Sequence, residues 1–180
     1  MEEEQKVQEV AERYMREALK EAAKAAEAGE VPIGAVVVKG DEIVGRGHNR
    51  REGSRNALAH AELLAIDDAC RRLGGWRLWE CDLYVTLEPC PMCAGAIINS
   101  RIRTVYYGAD DDKAGSCGSV VNLFDLPYNH RPQLVRGILA DECSAALKDF
   151  FRELREKGGN GKNWKLNRAN AKNEEREPKN

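Results

Sequence analysis

The sequence predicts a single α/β domain, and three observations carry that reading. Residues 33–38 (Ile-Gly-Ala-Val-Val-Val) form a nearly continuous apolar run, as expected of a strand buried on both faces; Gly40-Asp41 then turns the chain into a second strand at 42–47. Residues 82–87, a short helix to about Ser100 and residues 103–108 give a strand–helix–strand unit, the pattern of a right-handed crossover between parallel neighbours. Residues 3–28 and 141–157 carry apolar side chains at helical spacing. A length of 180 residues suits one domain with a sizeable core.

Taken in order, the first helix repeats Val7, Val10, Tyr14, Met15, Ala18, Ala22 and Ala25, with Gly29 as its stop. After the hairpin comes a loop at 48–56 that, with Arg46, holds four Arg against one Glu and leads to His60. It reads equally as a phosphate-contacting segment and as a solvated charged loop. Asn49 offers an amide that can meet a base edge, although Asn after a strand is common turn chemistry. Residues 60–73 form a helix with Leu63, Leu64, Ile66 and Ala69 on its apolar face, ended by Gly74-Gly75. The polar, glycine-bearing loop 110–119 can border a pocket. Residues 132–139 supply a last strand or extended edge, and the final helix turns Cys143, Leu147, Phe150, Phe151 and Leu154 inward. Gly158-Gly159-Asn160-Gly161 marks a boundary: 1–157 is the domain and 158–180 reads as a basic, disordered tail.

Charged residues make up 32% and hydrophobic ones 42%, no stretch nears 18 consecutive apolar residues, and the start Met1-Glu2-Glu3-Glu4 is not a signal peptide. Six cysteines without an export signal read as reduced thiols or metal ligands, so the expected compartment is the cytoplasm, with no membrane partner. The net charge of −2 is uneven. From Arg152 onward nine Lys or Arg face five Asp or Glu, giving +4 there and −6 before it. A basic end on an acidic body suits a nucleic-acid partner and a solvated tail alike.

The chemistry concentrates in residues 86–96, Thr-Leu-Glu-Pro-Cys-Pro-Met-Cys-Ala-Gly-Ala. Cys90 and Cys93 share the face of a first helical turn that Pro91 can open, and the partial positive charge of a helix N-terminus favours thiolates. Two thiolates leave a tetrahedral site incomplete. Of the three histidines, His60 is the best third ligand, because it comes as His60-Ala61-Glu62. Zn²⁺ with three protein ligands keeps a position for water and lowers its pKa to about 7, and a nearby carboxylate can move protons. Positions two apart do not share a helix face, so the metal is expected off the helix's N-terminal end, within reach of both His60 and Glu62. His-x-Glu followed by Pro-Cys-x-x-Cys is the known signature of zinc-dependent nucleobase deaminases, met by His60, Glu62, Pro89, Cys90 and Cys93. Competing readings are a redox Cys-x-x-Cys pair and a structural zinc closed by Cys70, Cys81, Cys117 or Cys143.

Over about residues 10–157 the chain resembles the bacterial tRNA-specific adenosine deaminases. The resemblance rests on Gly29 to Ala35, His60-Ala61-Glu62, Thr86 to Ala96, Tyr128-Asn129-His130 and Gly137 to Cys143. It implies a cytidine-deaminase-like three-layer α/β/α sandwich with a mixed five-stranded sheet, a homodimer, and one Zn²⁺ per subunit on His60, Cys90 and Cys93. It implies hydrolytic deamination of the wobble adenosine of an arginine tRNA anticodon stem-loop, zinc-activated water attacking C6 with Glu62 as proton shuttle. Asn49 would contact the flipped-out nucleotide, Ile33 would line the pocket, and Asp111 and the basic last helix would lie near the RNA backbone. Single-stranded DNA is the other nucleic acid such a site could take. His130 would be a hydrogen-bonded structural residue. The segment Asn56-Ala57-Leu58-Ala59 lacks the proline many relatives carry before the histidine, and the tail has no family counterpart. Two rival functions share the motif: a deaminase of a free base or nucleoside such as guanine, and a non-catalytic zinc-bearing subunit that only binds RNA. The presence of Glu62 argues against the second; Glu88, the other nearby carboxylate, reads as structural.

Overall fold

The computed structural model describes residues 1–158 of the 180. Of the tail expected at 158–180, only Gly158 lies among the described residues. The elements are α1 (Glu2–Glu27), β1 (Gly34–Lys39), β2 (Glu42–His48), α2 (Arg51–Ser54), α3 (Ala61–Leu73), β3 (Cys81–Leu87), α4 (Pro91–Ser100), β4 (Thr104–Ala109), a 3₁₀ turn (Leu123–Asp125), β5 (Gln133–Arg136) and α5 (Ala140–Gly158). The five strands form one sheet in the order β2-β1-β3-β4-β5. β1 pairs antiparallel with β2 and β3, whereas β3, β4 and β5 run parallel. The strand–helix–strand reading of 82–108 therefore holds, and the sheet is mixed.

Period-two alternation splits the core in two. Ala35, Val37, Leu83, Val85, Val105 and Tyr107 face α3 and α4, joined by Ala65, Ala69, Ile97 and Ile98. Val36, Val38 and Tyr84 face the other way, packing with Tyr14, Met15 and Ala18 of α1 and Cys143 of α5. Helices cover both faces, and the result is the cytidine-deaminase-like α/β/α sandwich. Strand β1 is apolar from Gly34 to Val38 because it is buried on both sides.

Three details of the core differ from the periodicity. Val7 and Val10 are exposed, and among the described residues burial along α1 begins only at Ala11. Leu63 and Leu64 are only partly buried; α3 faces the sheet with Ala61, Ala65 and Ala69. The reason lies in β2, where a Cβ at Gly45 or Gly47 would collide with the Ala65 or Ala61 carbonyl oxygen, so helix and strand meet backbone to backbone with no room for leucine. Phe151 is 41% exposed rather than inward, leaving Cys143, Leu147, Phe150 and Leu154 as the covered side of α5. The last helix is also not basic as expected: its described residues hold five Asp or Glu against four Lys or Arg, and the excess of positive charge lies beyond Gly158.

Candidate active site

Two helix N-termini meet beyond the carboxyl end of β3. His60 is the N-cap of α3 and Cys90 the N-cap of α4, both in extended conformation, with Pro91 opening α4. Glu62 lies in the first turn of α3 and Cys93 in the first turn of α4. His60 Nδ1 is 3.7 Å from Cys90 Sγ and 3.6 Å from Cys93 Sγ. All three donor atoms lie within 4.8 Å of one another, and they are the group among the described residues whose spacing suits a metal ion. Zn–S and Zn–N bonds of about 2.3 and 2.05 Å at a tetrahedral angle put sulfur and nitrogen about 3.6 Å apart. The donor set and its separations fit Zn²⁺. Cys70, Cys81, Cys117 and Cys143 are free and stand outside this group, so none of them closes the site.

The three side chains shift one another's acidity. A hydrogen bond from Cys93 is the main cause holding Cys90 down to about 4; burial opposes it and His60 adds to it. The same shared bond, then burial, pushes the Cys93 thiol up. The Cys90 bond likewise raises His60, against burial. Both helix N-termini add partial positive charge where these thiolates sit. Glu62 is 4% exposed, and burial pushes its carboxyl up to about 7 despite its own backbone N–H, His60 and Cys93.

These groups end a cavity of about 200 Å³, lined also by Val31, Ile33, Asn49, Arg51, Glu88 and Asp111. Every residue expected at the site lines it except Cys93, which is fully buried behind it. Asn49 is held in the wall: Nδ2 donates to the Val31 carbonyl (3.2 Å) and Oδ1 accepts from the Arg51 N–H (3.3 Å). One N–H and one lone pair remain for a ligand. Asp111 Oδ1 accepts from the N–H groups of Lys113 and Ala114, folding its own loop.

Glu88 explains how that loop is fixed. Its buried carboxylate accepts from the N–H groups of Asp111, Cys117 and Ser119, at 3.0 Å each, and from the Ser119 hydroxyl. Burial, its largest single influence, works upward, yet these donors together hold Glu88 below the usual carboxylate range. The structural reading of Glu88 stands. Val31, Arg51 and Leu87 were not singled out from sequence; Arg51 lay within a charged loop whose four arginines looked alike. The structure separates them. Arg46 turns back to α1, pairing with Glu17 (2.9 Å) and Glu21 (3.4 Å), whereas Arg51 is exposed at the cavity. His130 Nε2 meets the Ile102 carbonyl at 2.6 Å and is structural, and His48 faces Glu21.

Comparison with known proteins agrees with this geometry. A family model described as MafB19-like deaminase matches residues 9–155. The chain is 55% identical over 145 residues to the tRNA-specific adenosine deaminase of Bacillus subtilis strain 168, covering 80% of this chain and 90% of that one. A solved structure from a study of A-to-I editing by tRNA:A34 deaminases superimposes with a TM-score of 0.73 at 46% identity, covering 75% of this chain and 99% of that one. The guanine deaminase of Bacillus subtilis is more distant, with a TM-score of 0.54 at 34% identity over 81% of this chain and 93% of that one. The chain belongs to the deaminase family that the MafB19-like model describes and, within it, to the tRNA-specific adenosine deaminases.

Proposed function

We propose that this enzyme hydrolyses adenosine to inosine at the wobble position of an arginine tRNA anticodon, with one Zn²⁺ per subunit held by His60, Cys90 and Cys93. The observation that carries the reading is the convergence of those donors and the buried Glu62 carboxylate on one cavity. Bound Zn²⁺ supplies the Lewis acidity that makes water nucleophilic at neutral pH. Glu62 would carry protons between water and the purine; over the whole reaction C6 exchanges its amino group for the oxygen of water, the two water protons ending on the ring nitrogen and on the departing ammonia. The other wall residues hold the base: Ile33 and Val31 cover its face, and the free N–H and lone pair of Asn49 meet its nucleotide. Asp111 stands at the other side of the cavity, where the flanking backbone passes.

The cavity's size supports a single base. At about 200 Å³ it is smaller than a typical drug-sized site of roughly 300–1,000 Å³, so the rest of a polynucleotide stays outside. The target must therefore be unpaired and turned out of its stack. Exposed Leu58, Val120, Val121 and Leu126 suit a homodimer interface. No described helix is long and apolar enough to cross a membrane, and a cytoplasmic location follows from the tRNA substrate.

The test is inosine formation in an arginine tRNA anticodon stem-loop, with Glu62→Ala as the blank. The matching DNA hairpin and free guanine are offered alongside. Inosine in the RNA that vanishes in the variant is the expected result, and inosine in the DNA as well would mark relaxed sugar selectivity. The likeness to a guanine deaminase supports the second reading, action on a free base. Rapid guanine turnover with an untouched stem-loop would establish it instead.

A further inference from the structure

We propose that Glu30 is a positioning residue for substrate, its buried carboxylate fixing the loop that presents Asn49 and Arg51 to the cavity; this rests on the functional reading above. Glu30 is 2% exposed, although it is a carboxylate. Its backbone is set by the end of α1. The N–H of Gly29 bonds the Ala26 carbonyl (2.8 Å) and that of Glu30 the Ala25 carbonyl (2.9 Å), with Gly29 at φ 70°, the paired bonds of a Schellman motif. The carboxylate then reaches across to α2, accepting from the N–H of Glu52 (3.1 Å) and from that of Gly53.

These are N–H groups at the start of a helix, which have no partner within it. Arg50, the N-cap of α2, makes no side-chain cap bond, so a carboxylate distant in sequence does the capping. More tellingly, α2 has no fully buried residue, so burial of a hydrophobic face does not hold it in place. What holds it is polar. Glu30 takes two of its N–H groups, Asn49 Oδ1 takes that of Arg51, and the backbone of Asn49 and Arg50 bonds the Ile33 and Ala59 carbonyls. Both tethered segments line the same cavity, Val31 and Ile33 from one and Asn49 and Arg51 from the other. Glu30 itself is not among the cavity-lining residues, so it acts through the loop.

The experiment compares Glu30→Gln and Glu30→Ala with the wild type in steady-state kinetics on the anticodon stem-loop, bound zinc per chain, and amide exchange at residues 49–54. An amide oxygen still accepts a hydrogen bond, so Glu30→Gln is the conservative rescue. In Glu30→Ala the expected result is faster exchange at Glu52 and Gly53, KM raised about tenfold, kcat within about twofold and zinc unchanged, with Glu30→Gln in between. Unchanged exchange and KM in both variants overturns the proposal, as does a joint fall of kcat, zinc content and melting temperature, the mark of a merely structural residue. A stem-loop left unconverted by zinc-loaded wild type overturns the functional reading and the substrate role with it. The exchange data then decide separately whether Glu30 holds the loop.

Discussion

Glu62 and Glu88 line the same cavity and differ in what surrounds them. Glu88 is saturated with N–H and hydroxyl donors and stays ionised, whereas Glu62 is buried with fewer partners and raised to about 7. The proposed proton carrier is therefore Glu62, which neighbours His60 and Cys93, whereas Glu88 is occupied by its loop donors. Glu62→Ala should therefore lower kcat by at least about 10²–10⁴-fold with zinc content and melting temperature near wild type, measured as inosine release. Glu88→Gln should instead perturb the 111–119 loop, loosening amide protection at Cys117 and Ser119 while leaving some turnover. The cluster of His60, Cys90 and Cys93 was legible in the sequence, because metal chemistry demands particular residue types at particular spacings. Arg51 and Glu30 were not. The bonds from Glu52 and Gly53 to Glu30 join segments about 20 residues apart and leave no local periodicity, and Arg51 was one arginine among four in a charged loop.

At the scale of elements, the first four strands and the long helices were readable to within one or two residues, since each carries its own apolar rhythm; the last strand, read as 132–139, is only Gln133–Arg136. The four-residue α2 was hidden in a polar loop because it buries no face that could show such a rhythm. The face of α3 was half right: Ile66 and Ala69 are buried as read, but Leu63 and Leu64 are not, since leucine cannot fit where Gly45 and Gly47 bring the strand against the helix. Gly47→Val should push the N-terminal turn of α3 outward, costing about 1–3 kcal/mol of stability. Because His60 and Glu62 ride on that turn, bound zinc and activity should fall with it; equal zinc occupancy in a folded variant would refute the link. On the opposite face, α1 is tied to β2 by Glu17 and Glu21 with Arg46, and Glu21 also meets His48. Lys20, then Arg46, lower Glu17; burial pulls Glu21 upward but is outweighed by Lys24, His48 and Arg46. Both folded values lie below the ordinary 4.5, so the stability they lend is complete above it and is lost as pH falls through the lower folded values. Melting temperatures below about pH 5 should fall more steeply for the wild type than for Arg46→Met.

For the molecule as a whole, the site joins two helices on one side of the sheet, so metal binding and stability are linked. Removal of zinc by a strong chelator should abolish activity and lower the melting temperature, the bound ion adding about 2.7 kcal/mol when free Zn²⁺ exceeds its dissociation constant a hundredfold. An unchanged melting transition would show that the site is already rigid without metal. The general architecture was legible because hairpin and crossover are local patterns. The order of strands was less so, since the pairing of β1 with β3 joins residues such as Ala35 and Val85 across the whole α3 unit.

That pairing also has a kinetic meaning. His60 and the two cysteines approach one another only after β3 has docked beside β1 and α4 has packed beneath α3, contacts of long sequence separation that are slow to form. On that argument a refolding chain should cross its main barrier before His60, Cys90 and Cys93 stand together to receive the ion. Zinc should then act as a latch, slowing unfolding many-fold while leaving the refolding rate nearly unchanged, a split that stopped-flow traces with and without the metal would display directly.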